Sequence, residues 1–267
     1  RSTLFPYTTL FRSPAGVVIT LGEAMSILWG ALKCTLKPGD RLLAVASGLF
    51  GEGFADMARA IGAEAELCAA PHDQTPDFGK VREAALRFRP KVITAVHCET
   101  PSGTLTPCIK ELGEIAREVG ALFVVDFVSS AGAAAVDVDE NGIDIGLLGS
   151  QKVLSMTPSL SISTLSERAW KVIEEVRYSG YEAYLPWREV PAVHAMPYTH
   201  DWQAMAGLHV ALSAIMEEGV EHAYGRHERA AALCRRRGRE MGLRLFPLDE
   251  AVRSEEHTSE LQSPSWI

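Results

Sequence analysis

Two residues carry most of the chemistry legible in this chain. Lys152 closes Gly149-Ser150-Gln151-Lys152, behind the apolar run Ile143-Asp144-Ile145-Gly146-Leu147-Leu148. Asp126 ends another apolar run, Ala121-Leu122-Phe123-Val124-Val125. Each sits where a buried strand gives way to a loop, the edge at which open α/β sheets bind ligands. A carboxylate buried there is costly without a partner. A lysine amine and an acid at one such edge suit pyridoxal phosphate, which needs a lysine for its Schiff base and an acid beside its pyridinium nitrogen.

Three further segments fall where a strand ends and a helix begins. Gly22-Glu23-Ala24-Met25 opens a helix, and helix N-termini hold phosphate through free amides and a positive dipole. Ser47-Gly48-Leu49-Phe50-Gly51-Glu52-Gly53 reads as a glycine-flanked loop whose Phe50 either stacks on a ring or anchors the core. His97-Cys98-Glu99-Thr100-Pro101-Ser102-Gly103 offers hydroxyls to a ring oxygen or a phosphate. With no second ligand at metal spacing, His97 reads as a hydrogen-bonded strand-end histidine, and no metal is expected.

Alternating elements must position these segments. Met25, Leu28, Leu32 and Leu36 recur at helical spacing up to the stop Lys37-Pro38-Gly39-Asp40. Strands are expected at 16–20, 41–46, 64–68, 91–97, 121–125, 143–148 and 159–163. Helices are expected at 54–61, 78–88, from Thr106-Pro107 through Ile115, from Trp202 through Ile215, and about 221–242. Thr106 reads as an N-cap with proline at the first helical position. Strand and helix in alternation predict an α/β fold of three layers, with helices on both faces of a mostly parallel sheet.

Composition narrows the class. The formal net charge is −8, which argues against a general nucleic-acid surface. No apolar run has the roughly 18 residues of a membrane helix. The cysteines Cys34, Cys68, Cys98, Cys108 and Cys234 are scattered and odd in number, so neither a disulfide framework nor a zinc knuckle is expected, and a reducing cytoplasm is. The ends stand apart. Arg1–Ser13 and Arg253–Ile267 resemble in-frame translations of sequencing-library adapters. They are expected to be artefactual flanks around one domain, 14–252, truncated at both ends.

The stretch from about Gly22 to Pro247 resembles the class V aminotransferases of the pyridoxal-phosphate fold-type-I group, in its alanine–glyoxylate and serine–pyruvate branch. Val125-Asp126-Phe127-Val128-Ser129-Ser130 and the segment Gly142 to Lys152 carry the likeness. Phe50-Gly51-Glu52, His97-Cys98-Glu99-Thr100 and Arg226-His227 support it. The resemblance implies that Lys152 forms the Schiff base and shuttles the proton, while Asp126 keeps the ring nitrogen protonated. It implies that Phe50 stacks on the ring, Val128 packs on the opposite face and Thr100 bonds the ring hydroxyl region. Gln151 and the Ala24 and Met25 amides would hold the phosphate, and Thr199 would reach it from the partner of a homodimer. Glutamine before the lysine favours the aminotransferase branch, because desulfurases and kynureninases of this class usually place histidine there.

The sequence departs from that pattern in three places. Glu23-Ala24 stands where the family has a small hydroxyl or glycine pair. Thr157-Pro158-Ser159 replaces a common Pro-Pro-Gly. The small C-terminal domain that supplies the substrate-carboxylate arginine is mostly missing, and Arg226, Arg229 and Arg235 do not occupy its place. The expected activity is transfer of an amino group from an amino acid to a small 2-oxo acid. The alternatives are a pyridoxal-phosphate-binding fragment without turnover, or another class V enzyme of the aminoethylphosphonate transaminase or desulfurase and lyase types. A dinucleotide site at Gly51-Glu52-Gly53-Phe54-Ala55-Asp56 is disfavoured, because Asp56 stands where the last glycine belongs.

Overall fold

The computed structural model describes residues 16–107 and 109–246. The expectations for Arg1–Ser13, Arg253–Ile267 and the domain limits at 14 and 252 fall outside the described residues.

Seven strands form the main sheet: β1 (Gly16–Leu21), β2 (Arg41–Ala46), β3 (Glu64–Ala69), β4 (Val92–Val96), β7 (Leu122–Asp126), β8 (Ile145–Gly149) and β9 (Leu160–Leu165). Two short strands, β5 (Cys98–Glu99) and β6 (Thr104–Leu105), make a separate hairpin. The order across the main sheet is β1-β9-β8-β7-β4-β2-β3. The pairs from β3 through β8 are parallel. β9 runs antiparallel to both β8 and β1, so the sheet is mostly parallel, as the alternation predicts. The consequence for a site is direct. β8, β7, β4 and β2 are successive neighbours, and their C-terminal ends share one edge.

Alternate residues of each strand feed opposite layers, since strand side chains point to opposite faces. Leu43, Val45, Phe123 and Val125 pack on one side. There they meet the helices α3 (Phe78–Phe88), α4 (Ile109–Val119) and α7 (Trp202–Glu218). Leu42, Ala44, Leu122 and Val124 pack on the other. There they meet α1 (Ala24–Thr35), α2 (Leu49–Ala60) and α5 (Glu167–Val176). This is the expected three-layer sandwich. The α3 limits match those read from the sequence. Asp77 caps it, accepting from Lys80 N, and Arg89 ends it in a left-handed conformation.

Three differences from the sequence reading have physical causes. α2 starts at Leu49, not Phe54, so Phe50 lies in the first helical turn rather than in a loop. The Glu99 carboxylate accepts from the Phe50 and Gly51 amides at 3.1 and 2.7 Å, supplying a cap from a distant segment. α5 was not expected, yet Ser166 caps it through Ala169 N and Ala169, Trp170 and Ile173 bury its inner face. The segment after His97 folds back as the β5–β6 hairpin instead of an open loop. The last two helices, α7 and α8 (Val220–Glu240), follow α6, a single turn at Val190–Val193. Among the described residues no helix is long and apolar enough to cross a membrane, no group of side chains has metal-binding composition, and no cysteine is in a disulfide.

Candidate active site

A cavity of about 170 Å³ opens at the shared strand edge. Eight of the nine residues singled out in the sequence line it: Ala24, Met25, Phe50, Thr100, Asp126, Val128, Gln151 and Lys152. Neighbouring strands bring them together. Lys152 follows β8, Asp126 ends β7, Thr100 follows the β4–β5 segment, and Phe50 follows β2. Ala24 and Met25 open α1, which leaves β1. The ninth, Thr199, is solvent-exposed and not part of this lining.

The turn carrying Lys152 is fixed at its root by Ser150. This fully buried hydroxyl donates to the Thr157 carbonyl at 2.7 Å and accepts from Leu160 N at 3.1 Å. One side chain thus ties the end of β8 to the start of β9. Within the turn, Ser155 N donates to the Lys152 carbonyl, and Leu154 is buried. Lys152 Nζ itself makes no hydrogen bond or ion pair among the described residues. The amine is positioned by its backbone and left available at its tip.

Asp126 is 4% exposed. Its Oδ1 accepts from Val128 N at 2.7 Å, and its carbonyl accepts from His97 N. Burial pushes its carboxyl up to about 7; the Val128 N–H opposes that shift, the nearby Glu99 charge adds to it, and Lys152 opposes it. Such a carboxyl lacks a cationic partner, and a protonated ring nitrogen would supply one. Behind it lies His97, hydrogen-bonded to Ser130 at 2.8 Å and edge-on to Phe127. Burial pulls His97 down to about 4, so it stays neutral, in the strand-end role expected.

Thr100 and Ser129 hydrogen-bond each other through their hydroxyls at the cavity wall. Phe50 and Val128 add apolar surface. Glu99 was noted in the sequence only as part of a motif, yet it is fully buried and orients the turn that carries Phe50. Burial raises its carboxyl above the usual range while the two amides oppose this. The signal for it was available: like Asp126, it is an acid just past a buried apolar strand. Its carboxylate also fills the N-terminus of α2, the place a pyrophosphate would need in the dinucleotide reading.

The ring half of pyridoxal phosphate fits these residues, with Lys152, Asp126 and the apolar walls in place. The phosphate half fits less well. The Met25 amide expected to hold it already donates to the Glu23 carboxylate at 3.0 Å, and Ser26 N donates to the Glu23 carbonyl at 2.9 Å. The Gln151 side chain does present a buried oxygen with no hydrogen-bond partner.

The family described as Aminotransferase class-V matches residues 13–237. An uncharacterized aminotransferase of Methanocaldococcus jannaschii is 37% identical over 248 residues, covering 91% of this chain and 64% of that protein. The alanine–glyoxylate aminotransferase of Callithrix jacchus is 31% identical, covering 92% and 61%. The crystal structure of pyridoxamine–pyruvate aminotransferase from Mesorhizobium loti superposes with a TM-score of 0.88 at 27% identity, covering 94% of this chain and 65% of that one. The chain therefore spans less than two thirds of the length of these relatives.

Proposed function

Because this chain belongs to the class-V aminotransferases, we propose that its cavity serves transfer of an amino group between an amino acid and a small 2-oxo acid, of the alanine or serine and glyoxylate or pyruvate type. The observation that carries the proposal is the pairing of Lys152 with Asp126 across one cavity at the ends of adjacent strands. A pyridoxal ring, when bound, supplies the electrophilic carbonyl and the electron sink that amino-group transfer needs.

The chain's residues then divide the work. Lys152 Nζ would hold the ring at its carbonyl carbon and would move the proton at the substrate α-carbon. Asp126, with one oxygen held by Val128 N, keeps its other oxygen for the ring N–H and so holds the ring nitrogen protonated. Thr100 and Ser129 offer hydroxyls to the ring oxygen. Phe50 and Val128 bound the ring and exclude water. The whole enzyme works as a homodimer in this proposal, with exposed Thr199 facing the neighbouring subunit's cavity.

The test is reduction with borohydride in the presence of pyridoxal phosphate or pyridoxal, followed by peptide mass mapping. The ring should be fixed on Lys152 in the wild type and absent from Lys152→Ala, with the far-UV circular dichroism of the two alike. Fixation elsewhere, or undiminished fixation in Lys152→Ala, removes Lys152 from its role.

A further inference from the structure

Thr199 lies outside the cavity lining of its own chain, in a stretch with little regular structure to hold it. No helix or strand runs between α6 and α7, and residues 194–196 and 199 are exposed. A side chain in such a stretch samples many positions unless its neighbours are fixed. Here both neighbours are held, and unequally.

His200, the next residue, is 6% exposed. Its Nε2 lies 3.2 Å from the Ile19 carbonyl of β1. A carbonyl only accepts, so Nε2 carries the hydrogen and donates it. Nδ1 is buried and makes no hydrogen bond among the described residues, so the bond to Ile19 is the polar anchor of the ring. The ring stands edge-on to Trp187, with centroids 5.9 Å apart, and tilts against Trp202 at 6.1 Å. Trp187 is buried with α1 and α5 in that layer of the core. On the far side of His200, Asp201 caps α7 by accepting from Ala204 N. His200 therefore joins the main sheet, the core and the start of α7.

Tyr198 holds the other side of Thr199. Its hydroxyl donates to the Gly180 carbonyl at 3.3 Å, and its ring tilts against Tyr181 at 4.8 Å. Tyr181 is itself more than half exposed, so this contact is the softer of the two. Of the two neighbours, His200 is the one tied to the sheet. A single peptide unit links it to Thr199, which therefore keeps the sheet as its frame while its side chain faces solvent. A group that serves a neighbouring subunit has to be aimed by its own chain, and aiming it in advance lowers the ordering cost when the subunits meet.

We propose that His200 is a positioning residue, whose hydrogen bond to the β1 carbonyl fixes Thr199 for service in the neighbouring subunit's cavity. The proposal rests on the reading of Thr199 as the partner-facing residue of a homodimer. His200 is not part of the cavity lining and acts only through Thr199.

The experiment compares wild type, His200→Phe, His200→Gln, Thr199→Val and the double variant, with circular dichroism as the check on folding. Phenylalanine keeps the ring packing and loses the donor, while glutamine keeps a donor. His200→Leu stands in if His200→Phe does not fold. The first readout is amide exchange in the ring-free protein. Peptides covering 195–201 should exchange at least about threefold faster in His200→Phe and close to the wild-type rate in His200→Gln. The second is affinity for pyridoxal phosphate, read from absorbance. His200→Phe should weaken it by about three- to tenfold, and the double variant should bind no more weakly than Thr199→Val, since both changes remove the same contact. The third is a hybrid of one His200→Phe chain and one Lys152→Ala chain, isolated through two affinity tags. Its one lysine-bearing cavity faces an intact Thr199 and His200 and should bind with wild-type affinity.

Unchanged exchange or affinity in His200→Phe overturns the proposal. So does a hybrid that binds no better than the His200→Phe homodimer, because the effect then lies within one chain. If Thr199→Val binds like wild type, if the protein is a monomer, or if wild type shows no Lys152-dependent binding, the reading beneath fails and this proposal falls with it. If Thr199→Val weakens binding and His200→Phe does not, only this proposal falls.

Discussion

Replacing Asp126 by asparagine should stabilise the ring-free protein at neutral and alkaline pH while damaging its site. The carboxyl is buried, and burial pushes it up to about 7, well above the ordinary aspartate range. Below pH 4 the folded and unfolded chains both hold the proton, and Asp126 costs nothing. As pH rises, the unfolded chain releases the proton first, and the folded chain keeps it until near 7. A penalty therefore grows across that window and is constant above it. A shift of this size corresponds to about 2–4 kcal/mol after allowing for relaxation around the charge. Asparagine keeps an oxygen for Val128 N and never ionises. Urea unfolding of wild type and Asp126→Asn at pH 4, 6 and 8 isolates the effect, because other titrations cancel in the difference. The variant's stability advantage should widen by about 2–4 kcal/mol between pH 4 and 8. Added pyridoxal should narrow it, since a ring N–H gives the wild-type carboxylate its partner. A difference that stays flat to within about 0.5 kcal/mol would show that burial does not hold this proton, and the argument for a cationic ring partner would lose its basis.

Two further outcomes test the supports of the site. Glu99→Gln should move the Asp126 titration to lower pH, because the Glu99 charge adds to the upward shift; carboxyl-carbon NMR of selectively labelled protein reads it, and an unmoved midpoint refutes the coupling. Ser150→Ala should cost about 1–3 kcal/mol through the lost bridge between Thr157 and Leu160, seen as a lower thermal midpoint and faster proteolysis at 151–159; unchanged proteolysis would mean that the Lys152 turn holds its shape by other means.

Much of this was legible in the chain, and the exceptions share a cause. Elements that carry their own signals were read closely. α3 has a capping aspartate and a clean apolar stripe, β7 is a short apolar run ended by Asp126, and β8 is one ended by Gly149. Eight of the residues singled out in the sequence line one cavity because strand ends gather at one edge of a parallel sheet, which is a property of topology and not of local sequence. The start of α2 was misplaced because its cap, Glu99, lies 48 residues away from Gly51, and glycines at 48, 51 and 53 look like a loop when that carboxylate is not in view. Gly48 and Gly51 are small for lack of room: a Cβ at Gly48 would come 2.7 Å from the Glu99 side chain, and one at Gly51 would meet the Ala46 Cα at 2.7 Å. The Glu23 cap on Met25 N was hidden because a departure from a family pattern says what is missing and not what takes its place. The conformation of a side chain on its own helix supplied that.

The placement of β9 between β1 and β8 has a consequence in time. Among the described residues β1 pairs with β9 alone, Leu21 opposite Leu160, so within them the strand that leads into α1 has no partner until a segment far along the chain has been made. At the usual pace of synthesis, the roughly 140 residues between them take about 7–30 s to emerge. Throughout that interval Val17, Val18, Ile19 and Leu21 lack the β9 partner they have in the folded sheet, and unpaired apolar segments of this kind can recruit other chains. The Glu23 and Met25 wall of the cavity is set at the same late moment as β9. Ring binding cannot assist folding before then, and a nascent chain stalled short of residue 160 would carry the strand-edge carboxyl and the lysine but no closed site.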